Sequence, residues 1–126
     1  FVLCLLFSSA IYAQKYVFTH DDTLRGSITA ERAWWDLQLY HLQVEVNPVS
    51  QSIVGTNTIT YKVINSNNSM QLDLQSPMKI TSVVQNDKEL EVIDDGDAHF
   101  VQLLKDQKIN DIKHKFIKIY SDIIII

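Results

Sequence analysis

The densest pattern in the chain has a period of two. Tyr40, Leu42, Val44 and Val46 alternate with His41, Gln43, Glu45 and Asn47, and after Asn47-Pro48-Val49-Ser50-Gln51 the rhythm resumes, Ile59, Tyr61 and Val63 against Thr58, Thr60 and Lys62. Successive side chains on a strand point to opposite faces, so this stretch predicts a long β-hairpin with one dry and one wet face. Met70, Leu72 and Leu74 then alternate with Gln71, Asp73 and Gln75, which places Leu72 on the core side of the next strand and Gln71 on the water side. A charge at Leu72 is therefore expected to abolish folding, whereas Gln71→Asp is expected to be nearly silent. Pro77 bounds this strand because proline has no N–H to give a ladder. Ile80–Val84, Leu90–Ile93, His99–Leu104 and Lys113–Tyr120 follow as strands, with turns at Asn86-Asp87 and Asp94-Asp95-Gly96-Asp97 and a loop over Asp106–Asp111. Gly55, inside the second strand, predicts a bulge or a close backbone approach. The sum is an all-β fold of about seven strands, a mainly antiparallel sandwich or saddle-like curved sheet.

Helical periodicity is scarce. Thr29 to Trp35 reads either as a short helical turn or as the lead-in to the first strand. Residues 14–31 are polar, with turn formers at His20-Asp21-Asp22 and Arg25-Gly26-Ser27, and read as an extended arm. Ahead of them, Phe1-Val2-Leu3-Cys4-Leu5-Leu6-Phe7 followed by Ser8-Ser9-Ala10 and Ala13-Gln14 has the layout of a secretory leader, so residues 1–13 are expected to be a signal-peptide remnant and the protein exported. The alternative, a membrane anchor, needs roughly 20 apolar residues and finds about seven. Residues 123–126, four isoleucines, are expected to be a truncated or aberrant end, or else the start of a further strand; the β domain itself is assigned to residues 32–122.

Composition narrows the classes. A chain of 126 residues fits one domain, and 46% hydrophobic residues is globular rather than disordered. The net charge of −4 without any Lys/Arg cluster argues against nucleic acid or an anionic membrane as a partner. Cys4 is the one cysteine and lies in the leader, so the mature chain has no disulfide, no thiolate metal ligand and no cysteine nucleophile.

Candidate chemistry is thin. Zinc hydrolases carry two histidines a helical turn apart beside a Glu, whereas His20, His41, His99 and His114 fall in separate elements. A hydrogen-bonded sheet histidine is the expectation for His41. Asp94, Asp95 and Asp97 lack the calcium-loop spacing and sit where a hairpin turn belongs, and His20-Asp21-Asp22 reads the same way. No Gly-x-Ser-x-Gly elbow is present, and Gly26, Gly55 and Gly96 are too dispersed to cradle a phosphate. Asn67-Asn68-Ser69 matches a glycosylation sequon. Trp34 and Trp35 are either a sugar-stacking platform or structural anchors, one seated in the core and one at a domain edge; anchoring is the expectation. No residue is assigned a catalytic, cofactor-binding or metal role.

The order Arg32-x-x-Trp35-Asp36, then Tyr40-His41-Leu42-Gln43-Val44-Glu45-Val46-Asn47-Pro48, then Ile53-Val54-Gly55-Thr56-Asn57-Thr58-Ile59, resembles the N-terminal domain of M1-family zinc aminopeptidases. Met70-Gln71-Leu72-Asp73-Leu74, Asn86-Asp87-Lys88-Glu89-Leu90 and Ile117-Lys118-Ile119-Tyr120-Ser121 extend the resemblance, which is greatest to exported bacterial forms. It implies a saddle-shaped β domain ahead of a thermolysin-like catalytic domain that removes N-terminal amino acids with zinc. The family's H-E-x-x-H and G-x-M-E-N motifs do not occur in this sequence, so zinc is implied for the longer enzyme and no cofactor for this piece of it. The implied partners are the enzyme's own catalytic domain and its peptide substrates. The alternative expectation is a free-standing secreted β-sandwich that binds glycan or protein.

Overall fold

A computed structural model describes residues 15–109 and 115–124, with only the backbone described for 115–119 and 122–124. The expected leader over residues 1–13, Cys4, His114 and the last two isoleucines lie outside the described residues. Elements follow in the order α1 (His20–Gly26), α2 (Ala30–Ala33), β1 (Trp35–Asn47), β2 (Ser52–Val63), β3 (Asn67–Asp73), β4 (Lys79–Gln85), β5 (Lys88–Glu89), β6 (Glu91–Asp95), β7 (Ala98–Gln107) and β8 (Lys115–Ile124). The strands form two antiparallel sheets, a five-stranded one in the order β1-β2-β8-β4-β5 and a three-stranded one in the order β3-β7-β6. The all-β expectation holds, with the two-residue β5 as a strand the alternation did not show.

The β1–β2 hairpin is set by local chemistry. The Asn47 side-chain carbonyl accepts from the Val49 and Ser50 amides, folding the Pro48–Gln51 turn, and Asn47 pairs with Ser52 across it. Trp35 and Leu37 pair with Val63 and Tyr61, then the register slips by one at Gln38, and Tyr40, Leu42, Val44 and Val46 pair with Ile59, Asn57, Gly55 and Ile53. That bulge keeps odd-numbered Trp35 and Leu37 on the same face as the even-numbered residues that follow; without it the two groups would face opposite ways. Gly55 marks the close approach rather than the bulge. A Cβ at Gly55 would lie 2.8 Å from the Gln43 carbonyl oxygen, so any side chain there forces β1 and β2 apart. The tight hairpins obey turn chemistry too: Asn86 and Asp87 take φ of 52° and 60°, and Gly96 takes 61°.

The core lies between the sheets, where Ile59, Tyr61 and Val63 of β2 and Val83 of β4 meet Met70, Leu72, Val101 and Leu103 of β3 and β7. Trp34 seals one end. It is 2% exposed, its indole N–H donates to the Ser69 carbonyl at 2.7 Å, and its ring meets Tyr61 edge-on at 5.7 Å. Tyr61 is buried with its hydroxyl inside the sandwich, accepting from Gln85 at 3.2 Å and reaching Gln107 at 3.5 Å, so three buried polar side chains satisfy one another.

Two expectations are corrected. The arm over 14–31 is not extended throughout: Thr19 caps α1 by accepting from the Asp22 amide while the Asp22 carboxylate accepts from the Thr19 amide, a reciprocal box that nucleates seven residues of helix without an apolar stripe. Gln71 is not on the water side, because the arm covers that face of β3. It is 2% exposed, its carbonyl accepting from the Thr29 hydroxyl and its amide donating to the Leu24 carbonyl and to Asp73. Ile123 and Ile124 lie in β8, in register with Ile53 and Ser52. Of the two readings of Thr29 to Trp35, the short helical turn is found over α2, with Trp35 opening β1.

Candidate functional site

Among the described residues, an apolar trough lies along the inner face of the hairpin, between the five-stranded sheet and β3. Its volume is about 650 Å³. The floor is the inner face of the hairpin, with Leu42 and Val44 from β1 and Ile53 and Ile59 from β2, and Ile80 of β4 continues it. Leu72 and Leu74 with Met78 form the wall. Gly55 deepens the floor by having no side chain, and Ser121 of β8 pairs with it. The hairpin face expected to be dry is here largely bare: Tyr40 is 52% exposed, Leu42 66%, Val44 51% and Val46 61%. Alternation identified the face correctly; what it cannot reveal is whether anything lies across it.

Polar groups gather at one end. Arg32 comes from α2 and its guanidinium makes three contacts, bonding the Asp73 carboxylate and donating to the Arg25 and Ser27 carbonyls at 3.2 and 3.3 Å. The clasp ties the arm to β3. Partial burial, reinforced by the Asp73 carboxylate, holds the Tyr40 phenol above its ordinary range. Trp35 closes the end, its indole N–H donating to the Glu31 carbonyl at 3.1 Å. The Asn57 side-chain oxygen is buried in the trough and has no hydrogen-bond partner among the described residues. No nucleophile stands beside a base in this lining, so the arrangement suits packing and binding rather than bond-making.

The other candidates resolve into structural roles. Trp34 and Trp35 do not form a stacking platform. Trp34 is buried in the core, Trp35 is partly buried at its edge, and both meet Tyr61 edge-on. The aspartates of the hairpin turn are each engaged: Asp94 with His99 Nδ1 at 2.6 Å, Asp95 with His20 Nε2 at 2.9 Å, and Asp97 accepting from the Ser76 amide at 3.1 Å. His41 of β1, in register with Thr58 of β2, is exposed and lacks the hydrogen bond expected of it among the described residues. In the sequon, the Asn67 side chain is already bonded, its amide to the Ala30 carbonyl and its oxygen to the Asn68 and Ser69 amides. Among the described residues no three His, Cys, Asp or Glu side chains come together in a way that could hold a metal, so the zinc implied by resemblance has no donor set here and no step is derived through it. No helix among them is long and apolar enough to cross a membrane.

Sequence reasoning missed the Arg32–Asp73 clasp and the Gln71 anchor. Neither has a local signal, because the partners of each lie about 40 residues apart, at separations of 41 for Arg32–Asp73 and 42 for Thr29–Gln71. The capping box at Thr19-x-x-Asp22 was legible and would have flagged the helix that carries the arm.

No family model matches the chain, and no curated protein does. Solved structures do match. An M1 zinc metallopeptidase mutant from Deinococcus radiodurans, bound to a Tyr-Ser-Ala substrate, superposes with a TM-score of 0.62 at 15% identity, covering 73% of this chain and 21% of that one. The same organism's M1 zinc metallopeptidase gives 0.61 at 15% identity over 71% and 20% of the two chains. A two-domain M1 zinc metallopeptidase mutant bound to L-arginine gives 0.61 at 16% identity over 72% and 20%. At such identity the likeness is one of fold, and this chain spans about a fifth of the length of the structures it matches. The two-sheet β fold of this chain is the fold of a portion of the M1 zinc metallopeptidases, as its sequence resemblance implied.

Proposed function

We propose that this chain is the non-catalytic N-terminal β domain of an exported M1-type zinc aminopeptidase, and that it serves the longer enzyme as a scaffold that packs against the catalytic domain and shapes one wall of the substrate cavity. The observation that carries the reading is the fold match over nearly three-quarters of the chain at a TM-score of 0.62. The bare apolar face adds support, since an uncovered trough of this size on a small β domain fits a surface that is buried in a larger assembly. In this reading zinc and peptide belong to the catalytic domain.

The test compares two polypeptides, this chain alone and the chain extended by the coding sequence that follows it. The extended protein is expected to bind one zinc and to release the fluorophore from an aminoacyl reporter, with both properties lost on chelation. The chain alone is expected to do neither. Zinc-dependent turnover by the chain alone overturns the scaffold role, and an extended protein without zinc or turnover overturns the enzyme assignment.

A further inference from the structure

Resting on that reading, we infer that the trough is the seat of one further β-strand, supplied by a later segment of the same longer polypeptide, which adds to the free edge of β3 and lays alternate apolar side chains across the inner face of β1 and β2. Three observations converge on a strand. The sheets are unequal, five strands over three, and β3 is an edge strand facing the trough. The amides on that edge can be identified. The Leu74 N–H donates toward the β7 side, to the Asp97 carbonyl at 3.0 Å. Amides along a strand alternate in direction, so the N–H and C=O groups of Gln71 and Asp73 point to the free edge. The Ser69 carbonyl belongs to the same set, and it is the one that Trp34 covers.

Beyond Trp34 the edge is left without a strand neighbour, and its Gln71 and Asp73 line the same trough as the exposed floor residues Leu42 and Val44. A strand satisfies both demands at once, giving backbone partners to Gln71 and Asp73 and side chains of period two to the floor. A small apolar ligand would satisfy the floor and leave the edge unpaired. The source follows from length: the matched structures are about three and a half times as long as this chain, so in the proposed longer enzyme the sequence to supply the strand lies within one polypeptide.

Site-resolved amide hydrogen exchange tests this on the chain alone and on the extended polypeptide. In the chain alone, Gln71 and Asp73 are expected to exchange at least about tenfold faster than Met70 and Leu72, whose amides face β7. In the extended polypeptide the two sets should converge, and Leu42 and Val44 should lose solvent contact. Continued fast exchange at Gln71 and Asp73 in the extended protein overturns the proposal, because whatever covers the floor is then not a strand. Slow exchange that appears in the chain alone, together with a dimer mass in sedimentation, also overturns it in favour of a second copy. Slowing without zinc or turnover in the extended protein would sink the enzyme assignment while sustaining the strand seat.

Discussion

The two ends of the β1–β2 hairpin carry the same alternation and meet opposite fates. At the base, Ile59, Tyr61 and Val63 of β2 are 0%, 1% and 6% exposed, although their β1 partners Tyr40 and Leu37 are 52% and 41% exposed; toward the tip, Leu42, Val44 and Val46 on the same face are more than half exposed. The residue types are matched and the register is continuous past the bulge. What differs is the cover, since the three-stranded sheet and Trp34 pack on the β2 side of the base and leave β1 beyond Trp35, and the tip, open. Periodicity therefore reports which face of a strand is meant to be dry. The topology of the rest of the molecule decides how much of that face is dried, and here the uncovered part is where a functional contact is read.

The largest expected effect tests that contrast directly. Ile59→Ala removes buried methyl groups from the closed core and should destabilise the chain by about 2–5 kcal/mol in urea unfolding. Val46→Ala, on the same face at the tip, should change stability by less than about 0.5 kcal/mol. Comparable losses at both positions would mean the tip is already covered in solution.

The base is also dry enough to act on a phenol. Burial pushes the Tyr61 hydroxyl up to about 12, while Gln85 donating to it opposes the shift. A group whose folded pKa is raised contributes stability that is complete below its unfolded value and is lost as pH climbs through the folded one, so the loss should run from pH 10 to about 12. Two units correspond to about 2.7 kcal/mol at most. Tyr61→Phe should flatten this alkaline slope in denaturation measured from pH 9 upward, at the cost of leaving the Gln85 amide without its acceptor. A slope unchanged by the substitution would show that the base is wetter than the packing implies. Tyr40, at the trough, is raised as well but half exposed, so it should ionise before Tyr61 in an absorbance titration.

How much of this was legible follows from how local each cause is. The hairpin and its turn, the strand alternation, and the turns at Asn86-Asp87 and Gly96-Asp97 all rest on neighbours in sequence. The trough does not, since it arises from a mismatch between two sheets whose strands interleave along the chain. Gln71 shows the same limit from the other side. Its neighbours in sequence mark it as a surface residue, and only the arm folding back over β3 makes it a buried anchor. Gln71→Ala strips the Thr29 hydroxyl and the Leu24 carbonyl of a partner and should cost about 1–3 kcal/mol. It should also loosen the arm, seen as faster tryptic cleavage after Arg25. Gln71→Asp, expected from alternation to be silent, should be comparably harmful because it sets a carboxylate beside Asp73, to which the glutamine amide donates. Unchanged cleavage in both variants would mean that the arm is held without Gln71.

The smallest effect concerns the far end of that arm, where cover is weakest. His20 on α1 contacts Asp95 of β6 at 2.9 Å, and Asp21 of its own helix adds to the negative surroundings; the hydrogen bond to Asp95, then its charge, raise the imidazole above 6.5. Both partners are substantially exposed, so the contribution is screened and small. Its sign is fixed nonetheless. The imidazolium form favours the docked arm, so the stabilisation is complete below pH 6.5 and fades as pH rises through the higher folded value. Tryptic cleavage after Arg25 should accelerate slightly over that interval, less so at high salt, and His20→Gln should remove the pH dependence while leaving the Arg32–Asp73 clasp in place. The opposite slope, or one that survives the substitution, would assign the pH response to another group. Such an outcome would leave α1 held at its C-terminal side alone, by Gln71, Arg32 and the Arg25–Asp97 ion pair, and would bring the arm closer in behaviour to the open tip than to the closed base.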